Sequence, residues 1–341
     1  MTTPLGLRAA ATAAAVRGGI SRLRESSIIN RKGAPMILAA LADSDLHPLS
    51  PPLASRHDLT SRQVRMLRLA TLALQEAASV ILGEPLPLLL AGPEPHPKKP
   101  TPALEKGFLE LLSLQTGVSL DLGRSEVSSG GRAGALALLG RAMELLSSRK
   151  ATSILVGGVD SHLDTGLLGV LDEEGRVHAE EVLDGFVPGE GAGFLLLSSR
   201  NTLPPSTRLA FVSTPGLGVE QGHRYSTEPY LGNGLADAIR AAVRRASAPP
   251  IRTVLASFNG ESFGAKEWGV AFIRNRDAFQ EEPRMEHPAD CFGDLGAACG
   301  PVLIGLAALG LKKGYLPGPC LAWCSSEGAA RAAALVSSEP V

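Results

Sequence analysis

The chain has 341 residues, a formal net charge of −1, 44% hydrophobic residues and only 4% aromatic residues. This apolar content, with a mean hydropathy of +0.12, excludes a globally disordered chain and predicts a substantial core. The near-neutral charge and the lack of a long basic run argue against nucleic acid or a membrane surface as the main partner.

The N-terminal segment and the cysteines indicate the compartment. The first residues are rich in alanine but include Arg8 and Arg17, which makes a poor signal peptide, and no apolar run reaches the roughly 18 residues of a membrane span. All four cysteines follow residue 290, as is typical of a reducing compartment rather than a disulfide framework. Cys320 and Cys324 fit buried thiols better than a zinc site, because no second pair has ligand spacing. We therefore expect a cytoplasmic protein without metal or cofactor.

The first hundred residues alternate between helical and strand patterns. The helices show apolar residues every three to four positions, and the strand is an unbroken apolar run. The predicted elements are a turn and amphipathic helix over 3–25, a helix capped by Thr60 or Ser61 that extends to about residue 82, a strand over 85–92 and a stiff loop over 93–102.

The second of these helices has a basic side. Arg62, Arg65 and Arg68 lie mainly off its apolar stripe. This pattern predicts a solvated face of the helix, and a docking site for an acidic carrier protein is the alternative.

Residues 124–160 form the stretch around which the chain is organised. Ser128 and Ser129, followed by two glycines, predict an elbow in which a serine caps a buried helix. The run 153–158 is apolar and closes with two glycines, which predicts a parallel strand covered on both faces. Serine at a helix N-terminus could also serve as a nucleophile, although the chain has no G-x-S-x-G motif.

The rest of the chain repeats this pattern. The segments 184–187 (DGFV) and 189–193 (GEGAG) lead into a strand, so the glycine-rich loop is unlike a phosphate-binding loop, which would lead into a helix. A hinge is predicted at 201–208. The predicted elements after it are strands over 208–213, 253–258, 319–324 and 332–337, a helix over 232–247 and a glycine-rich helix entry over 293–300.

The elbow, helix and Gly-Gly strand, with the DGFV and GEGAG segments, resemble the β-ketoacyl-ACP synthases of the thiolase-like superfamily. The resemblance implies an α/β fold, an αβαβα layered sandwich of two pseudo-repeated β/α halves over 1–200 and 208–341. It also implies an apolar, central strand before the Thr3-Pro4-Leu5-Gly6 turn. Because Met1 stands directly before that turn, a late start of the sequence is expected.

The family's catalytic triad of cysteine and two histidines has no counterpart here. Aligned back from Gly157 and Gly158, the cysteine position holds Arg132, and the two histidine positions hold Asn259 and Gly293. A guanidinium is no nucleophile at working pH, so no acyl-enzyme can form there. The resemblance therefore implies that condensing activity is lost. The family's phenylalanine gate is also replaced, by residues 327–330 (EGAA).

The pocket that this alignment predicts is polar. Its candidate residues are Ser128, Ser129, Arg132, Glu190, Asn259, Glu261, Asp294 and Glu327. They form either a salt-bridge network that fills an abandoned cavity or a site in which Arg132 holds an anionic ligand. Glu190 is either a structural hydrogen-bond hub or a pocket residue, and His162 and His223 are further pocket candidates.

The leading hypothesis for function is a catalytically degenerate synthase-like protein that acts as a binding or partner subunit. It would resemble a chain length factor, paired with an active synthase, or an adaptor or chaperone for another protein. An acyl carrier protein is a possible ligand, and a homodimer formed through a sheet edge is a further possibility. The alternative function is an acyltransferase or hydrolase with a rebuilt active site, in which Ser128 or Ser129 lies near Glu261 or His162.

Overall fold

A computed structural model describes residues 1–81, 83–199, 202–246 and 249–340 of the chain. The helices are α1 (Ala9–Arg17), α2 (Pro51–Ala54), α3 (Ser61–Ala78), α4 (Phe108–Thr116), α5 (Gly131–Ser147), α6 (Thr165–Glu173), α7 (Asn233–Arg245), α8 (Ser262–Arg274), α9 (Ala289–Phe292) and α10 (Cys299–Lys312). The strands are β1 (Arg24–Ile29), β2 (Pro35–Leu38), β3 (Leu88–Ala91), β4 (Glu126–Ser128), β5 (Ser153–Ser161), β6 (Glu190–Ser198), β7 (Phe211–Val212), β8 (Gly216–Val219), β9 (Ile251–Ala256), β10 (Phe279–Glu286), β11 (Cys320–Ser325) and β12 (Ala330–Ser337).

The two halves contain sheets of the same design. Among the described residues, the first sheet has the order β4, β3, β5, β6 and the second has the order β10, β9, β11, β12, β7, with β8 also paired to β12. In each sheet the three leading strands are parallel and the next is antiparallel. The halves are therefore pseudo-repeats, as predicted.

Helices cover both faces of both sheets. Leu136 and Leu139 of α5 and Leu303 of α10 share one apolar core with Val156 of the first sheet and Ala334 of the second. Helices α3 and α4 pack on the outer face of the first sheet, and α7 and α8 pack on the outer face of the second. The resulting αβαβα order of layers confirms the predicted fold class. All nine residues of β5 are buried. The predicted end of this strand at Gly158 was wrong, because β5 continues to Ser161, with residues 158–161 paired to β6.

Several predicted boundaries need correction. Helix α3 has a capping box of Thr60 and Gln63 but ends at Ala78, so the predicted extension to about residue 82 is too long, and residue 82 itself lies outside the described residues. The predicted strand over 208–213 is reduced to β7, because its pairing with β12 shifts by one residue before it resumes as β8. The predicted end of α7 at 247, and residues 200 and 201 at the division between halves, also lie outside the described residues. The bounds 1–200 and 208–341 remain a proposal.

Three further strand regions do not follow from the sequence patterns. These are the β1–β2 hairpin, the three-residue β4 and the largely polar β10. Edge strands such as β4 and β10 have only part of their surface buried, so their sequences lack a continuous apolar run.

The start of the described chain lies against β6. Thr2 pairs with Ala192 of β6 through two backbone hydrogen bonds of 2.8 and 2.9 Å, and the α-amino group of Met1 pairs with Glu76 at 2.9 Å. The family resemblance predicted a central strand at this point. In the second half, however, the equivalent position beside β12 is the sheet edge occupied by β7 and β8. The expected position was therefore wrong. No described helix has the length and apolarity that crossing a bilayer demands.

The close approach of β5 to the turn before α10 gives a stability prediction. A Cβ atom on Gly158 would lie 2.0 Å from the carbonyl oxygen of Ala297, so Gly158→Ala must displace backbone. We expect it to lower the free energy of unfolding by about 1–3 kcal/mol or more, measured by urea denaturation. Gly169→Ala in α6 is the matched control, because nothing lies within 4 Å of its Cβ position, and it should stabilise slightly. Equal stability of Gly158→Ala and wild type would contradict the packing described here.

Candidate functional site

Arg132 is the second residue of α5, and it points into the interface between the two halves. The side chain is only 8% exposed. Its Nε donates to Asp294 Oδ1 and Oδ2 at 3.0 and 2.8 Å, its Nη2 also donates to Asp294, and its Nη1 donates to Glu327 Oε1 at 2.6 Å. Both carboxylates belong to the second half. Arg132 is therefore a buried cation paired with two anions across the interface.

Asp294 and Glu327 are ionised because arginine side chains lie beside them. Burial on its own would raise the pKa of Asp294, but the charge of Arg132 outweighs it and holds that pKa well below its usual range. Burial likewise opposes ionisation of Glu327, yet Arg132 and then Arg176 lower its pKa to about 2. All of these groups carry full charges at neutral pH.

Asp294 is positioned by backbone contacts between the halves. Its N–H donates to the Val187 carbonyl oxygen at 2.8 Å, and its carbonyl oxygen accepts from Gly189 at 3.0 Å. Its carboxylate also accepts the Gly296 N–H at 2.9 Å. The DGFV and GEGAG segments, which provide Val187 and Gly189, therefore hold the partner of Arg132 in place.

Gly293, assigned to the second histidine position, has no room for a side chain. Its φ of +70° is left-handed, and a Cβ atom there would lie 2.8 Å from the Val187 carbonyl oxygen and 2.9 Å from Ala39 Cβ. A histidine at this position would require the two halves to separate locally.

Asn259, assigned to the first histidine position, connects two carboxylates. Its Nδ2 donates to Glu261 Oε2 and to Asp294 Oδ2, both at 3.0 Å. Glu261 in turn accepts two hydrogen bonds of 2.8 Å from Arg176 and pairs with Arg224 at 3.0 Å. We refer to the following six charged residues as the arginine–carboxylate network: Arg132, Arg176, Arg224, Glu261, Asp294 and Glu327.

The network has three positive and three negative residues, so its formal charges cancel. Arg176 and Arg224 both reach Glu327 Oε2, at 2.9 and 3.5 Å. Desolvated charges need partners of this kind, and here each charge has at least one. These six side chains therefore form a salt-bridge network, and two cavities remain beside it.

Glu94, which sequence reasoning missed, lies above the start of α5. Its carboxylate accepts the backbone N–H groups of Glu327 and Gly328 at 2.8 and 2.9 Å. A Cβ atom on Gly131 would lie 2.9 Å from its Oε2. Burial raises the pKa of Glu94, although the two N–H donors act in the opposite direction. No local sequence pattern marks this residue, because it lies in a proline-rich loop and its partners are more than 200 positions away.

Two cavities lie on either side of this cluster, and Arg132 and Glu327 line both of them. The first is a half-open cleft of about 510 Å³, whose lining includes Glu94, His96, Asp160, His162, Arg176 and Tyr225. The second has a volume of about 370 Å³, and its lining includes Arg224, Asn259, Glu261, Glu267, Trp323 and Ser325.

The predicted elbow serines are not in either cavity. Ser128 ends β4 instead of capping α5, and the N-cap residue is Gly130, without a side-chain cap. The serine at this helix start comes from the C-terminal loop, since Ser326 Oγ accepts the Ala133 N–H at 3.0 Å and donates to the Gly130 carbonyl oxygen at 2.6 Å. Neither Ser128 nor Ser129 lines the cleft that contains His162 or the cavity that contains Glu261. The predicted capping by these serines was wrong.

Glu190 is a buried hub outside both cavities. It is fully buried, and it accepts hydrogen bonds from Arg65, from Ser161 Oγ at 3.0 Å and from the Leu41 N–H at 2.9 Å. Of the two predicted roles, the geometry matches the structural one.

The three arginines of α3 do not form a solvated face. Arg65 pairs with Glu190 at 2.5 Å, Arg62 pairs with Asp160 at 2.9 Å, and Arg68 pairs with Asp43. Their side chains are only 17% to 22% exposed. The prediction of a solvated basic face was wrong, because the acidic partners lie far away in sequence.

Histidines contribute to the cleft in two places. His162 Nδ1 lies 3.1 Å from the Asp294 carbonyl oxygen. His96 is buried, with Nε2 at 2.8 Å from the Tyr225 hydroxyl and 3.2 Å from Glu174 Oε1, so it is a satisfied side chain. His223, the other predicted pocket candidate, does not line either cavity.

The cysteines are free thiols. Cys299, Cys320 and Cys324 are buried, and Cys291 is half-buried. Burial raises the pKa of Cys320 to about 12 and that of Cys324 well above its ordinary value, so neither is a ready nucleophile. Over the described ranges, no group of three or more His, Cys, Asp or Glu side chains could hold a metal ion.

Comparison with solved structures gives matches over nearly the whole chain. The ishigamide ketosynthase/chain length factor superposes with a TM-score of 0.76 at 16% identity, covering 99% of this chain and 97% of that one. The chain therefore has the thiolase-like fold of the ketosynthases. A β-ketoacyl synthase from Burkholderia phymatum gives a TM-score of 0.75 at 18% identity with the same coverage. A ketosynthase in complex with its chain length factor from Xenorhabdus doucetiae gives 0.70 at 15% identity, covering 99% and 96%. No family profile and no curated protein sequence matches the chain.

Arg132 is the first residue to test, because the alignment with the ketosynthases places it at the position of the family's cysteine. Arg132→Ala would leave Asp294 and Glu327 short of their shared cation in a buried site, and we expect it to lower the free energy of unfolding by about 3–5 kcal/mol. Arg132→Lys should lose part of this, because an ammonium cannot make the forked contact with Asp294. Urea denaturation measures both variants.

Arg141→Ala provides the matched control on the same helix. Arg141 pairs with Glu126 and Glu144 at the surface, so its removal should leave stability nearly unchanged. An Arg132→Ala variant as stable as Arg141→Ala would show that the network does not hold the halves together.

Proposed function

We propose that the chain is a catalytically degenerate ketosynthase-like protein that acts by binding a protein partner. The observation that carries this proposal is Arg132, which occupies the position that the alignment assigns to the nucleophile and is buried between Asp294 and Glu327. A guanidinium remains protonated and cannot hold an acyl group. Asn259 and Gly293, at the histidine positions, offer no imidazole for the decarboxylation step.

The contacts around the cleft also bear on the enzymatic alternative. An acyltransferase or hydrolase would need a nucleophile in the open cleft, and Ser128 and Ser129 lie outside the cavity linings. The oxygens of Glu94 take up the Glu327 and Gly328 amides, which therefore have no N–H free for a developing oxyanion. These contacts favour a binding role over the enzymatic alternative.

For the partner, we propose an active ketosynthase, to which this chain would relate as a chain-length-factor-like subunit. Two of the similar structures are named as ketosynthases with chain length factors, and a third is named as a ketosynthase in complex with an acyl carrier protein. An acyl carrier protein or a client of an adaptor remains a second kind of partner in this proposal. The four free thiols favour a reducing, cytoplasmic location.

A sheet edge is the contact that we propose for this partner. Strand β4 ends the first sheet, and of its three residues only Glu126 is charged, with Arg141 as its partner. At the end of the second sheet, by contrast, β10 has Glu281, Glu282 and Arg284, and charges of this kind discourage pairing between edges. The β4 edge is therefore the better candidate for continuing a sheet into another chain.

Intact-protein mass spectrometry tests the loss of acyl transfer. After incubation with acyl-CoA or an acylated carrier protein, we expect the mass of the chain to remain unchanged, because Arg132 cannot hold an acyl group and neither Ser128 nor Ser129 lines the cleft. An active β-ketoacyl synthase serves as the positive control. An added acyl group would overturn the proposal, and its disappearance in Ser128→Ala or Ser129→Ala would assign the enzymatic alternative.

Light scattering on the isolated chain tests the partner. If the chain pairs only with a separate synthase subunit, the isolated chain should be a monomer with a mass of 35.4 kDa. A stable species of twice this mass would show that the chain pairs with itself, and the heterodimer proposal would then be wrong.

A further inference from the structure

The Glu94 carboxylate lies in a cradle of backbone atoms beside the first cleft. The Glu327 N–H donates to its Oε2 at 2.8 Å, and the Gly328 N–H donates to its Oε1 at 2.9 Å. Consecutive N–H groups that each contact one oxygen are a common means by which a backbone binds a carboxylate. We refer to these two N–H groups, together with Gly131, as the carboxylate cradle.

Two glycines leave room for the carboxylate. A Cβ atom on Gly328 would lie 2.7 Å from Glu94 Oε1, and a Cβ atom on Gly131 would lie 2.9 Å from Oε2. A side chain at either position would therefore push the carboxylate out of its place. Gly131 is also the first residue of the 17-residue helix α5, whose N-terminal end favours a negative charge. The shape and the polarity of the cradle both suit a carboxylate.

Glu94 is held less firmly than the other carboxylates that line the cleft. Asp160 pairs with Arg62 at 2.9 Å, and Glu327 pairs with Arg132 at 2.6 Å. Within the part of the chain that the structure describes, Glu94 forms no ion pair and is held by the two N–H groups. Its departure would therefore leave no arginine without a partner.

The position of Glu94 allows it to move. The residue is half-buried, it lies on a loop between Pro93 and Pro95, and it lines the half-open cleft of about 510 Å³. Burial raises its pKa, which means that lost hydration opposes the charged form in the cradle. A Glu94 side chain that turned outward would regain water and would leave both N–H groups free for another anion.

Without Glu94, the charges of the cleft favour an anion. The arginines and carboxylates that would then line it are Arg62, Arg132, Arg176, Asp160 and Glu327. Three cations against two carboxylates leave one positive charge, which a carboxylate from outside would neutralise. The lining also includes the apolar side chains of Leu167 and Phe186, against which a short carbon skeleton can pack.

We propose that the carboxylate cradle is a binding site for a small free carboxylate, and that Glu94 occupies it as an autoinhibitory contact. When Glu94 turns outward, the two oxygens of the ligand accept the N–H groups of Glu327 and Gly328, and the rest of the ligand lies in the cleft. Ligand and side chain compete for the same two donors. The proposal goes beyond the partner role and does not depend on it, because no contact of the β4 edge is involved.

Nuclear magnetic resonance of the ¹⁵N-labelled full chain tests the site, because the Glu327 and Gly328 amide resonances report the contact directly. Glu94→Ala removes the tethered carboxylate, and water can replace it in the half-open cleft, so the fold should be retained. With ionic strength held constant by sodium chloride, sodium acetate should return both resonances toward their wild-type positions, saturably and with a millimolar midpoint. The unaltered chain should need at least about ten times more acetate, because Glu94 is tethered beside the cradle at a high effective concentration.

Two controls separate this site from general anion binding. Acetamide has the shape of acetate without its charge, and it should cause no saturable shift in Glu94→Ala. Adding Gly328→Ala to Glu94→Ala places a methyl group against the position of the carboxylate oxygen, and it should abolish the acetate response of the Glu327 amide. The carboxylate site would be disproved if Glu94→Ala gave no response, responded equally to acetamide, or still responded with Gly328→Ala added. Equal midpoints in Glu94→Ala and the unaltered chain would overturn the autoinhibitory role of Glu94.

Discussion

The contact between Arg132 and Asp294 is the interaction on which the rest of this interior depends. It joins the first turn of a helix in one half to the turn before α10 in the other, at the place where the alignment puts the family's catalytic residues. An isolated guanidinium or carboxylate would be too costly to bury there. The buried charge of Arg132 requires carboxylate partners, which are Asp294 and Glu327. Arg176 supplies a further cation, because it pairs with Glu261 and Glu327.

The same logic explains why the residues at the aligned triad positions depend on one another. A Cβ atom on Gly293 would lie 2.8 Å from the Val187 carbonyl oxygen, so a histidine there would press against the first half. Asn259 is committed to two carboxylates, and Glu94 is held by two backbone N–H groups above α5. Each of these residues fits only in the company of the others. The three positions are therefore coupled through packing and hydrogen bonds, and a change at one alters the surroundings of the others.

Sequence reasoning predicted the parts of the fold that local patterns determine. The strand β5 and the helix α5 follow from apolar runs and spacing. It failed where the determining contact is distant. The partners of Arg62 and Arg65 are 98 and 125 positions away, so a polar helix face could not be distinguished from a set of internal ion pairs. For the same reason Glu94 was missed, and the capping of α5 was assigned to Ser128 or Ser129 instead of Ser326.

The charges around the cleft show what buried polarity does in this interior. Around the cleft, the charges of Arg132, Arg176 and Glu327 are paired with one another. A network of this kind can be complete without a ligand, and it fixes how the two halves pack. Beside the second cavity, Glu267 and Arg331 form a further ion pair with both side chains fully buried. Polarity alone therefore does not mark a binding site in this interior, because the chain pairs its own buried charges.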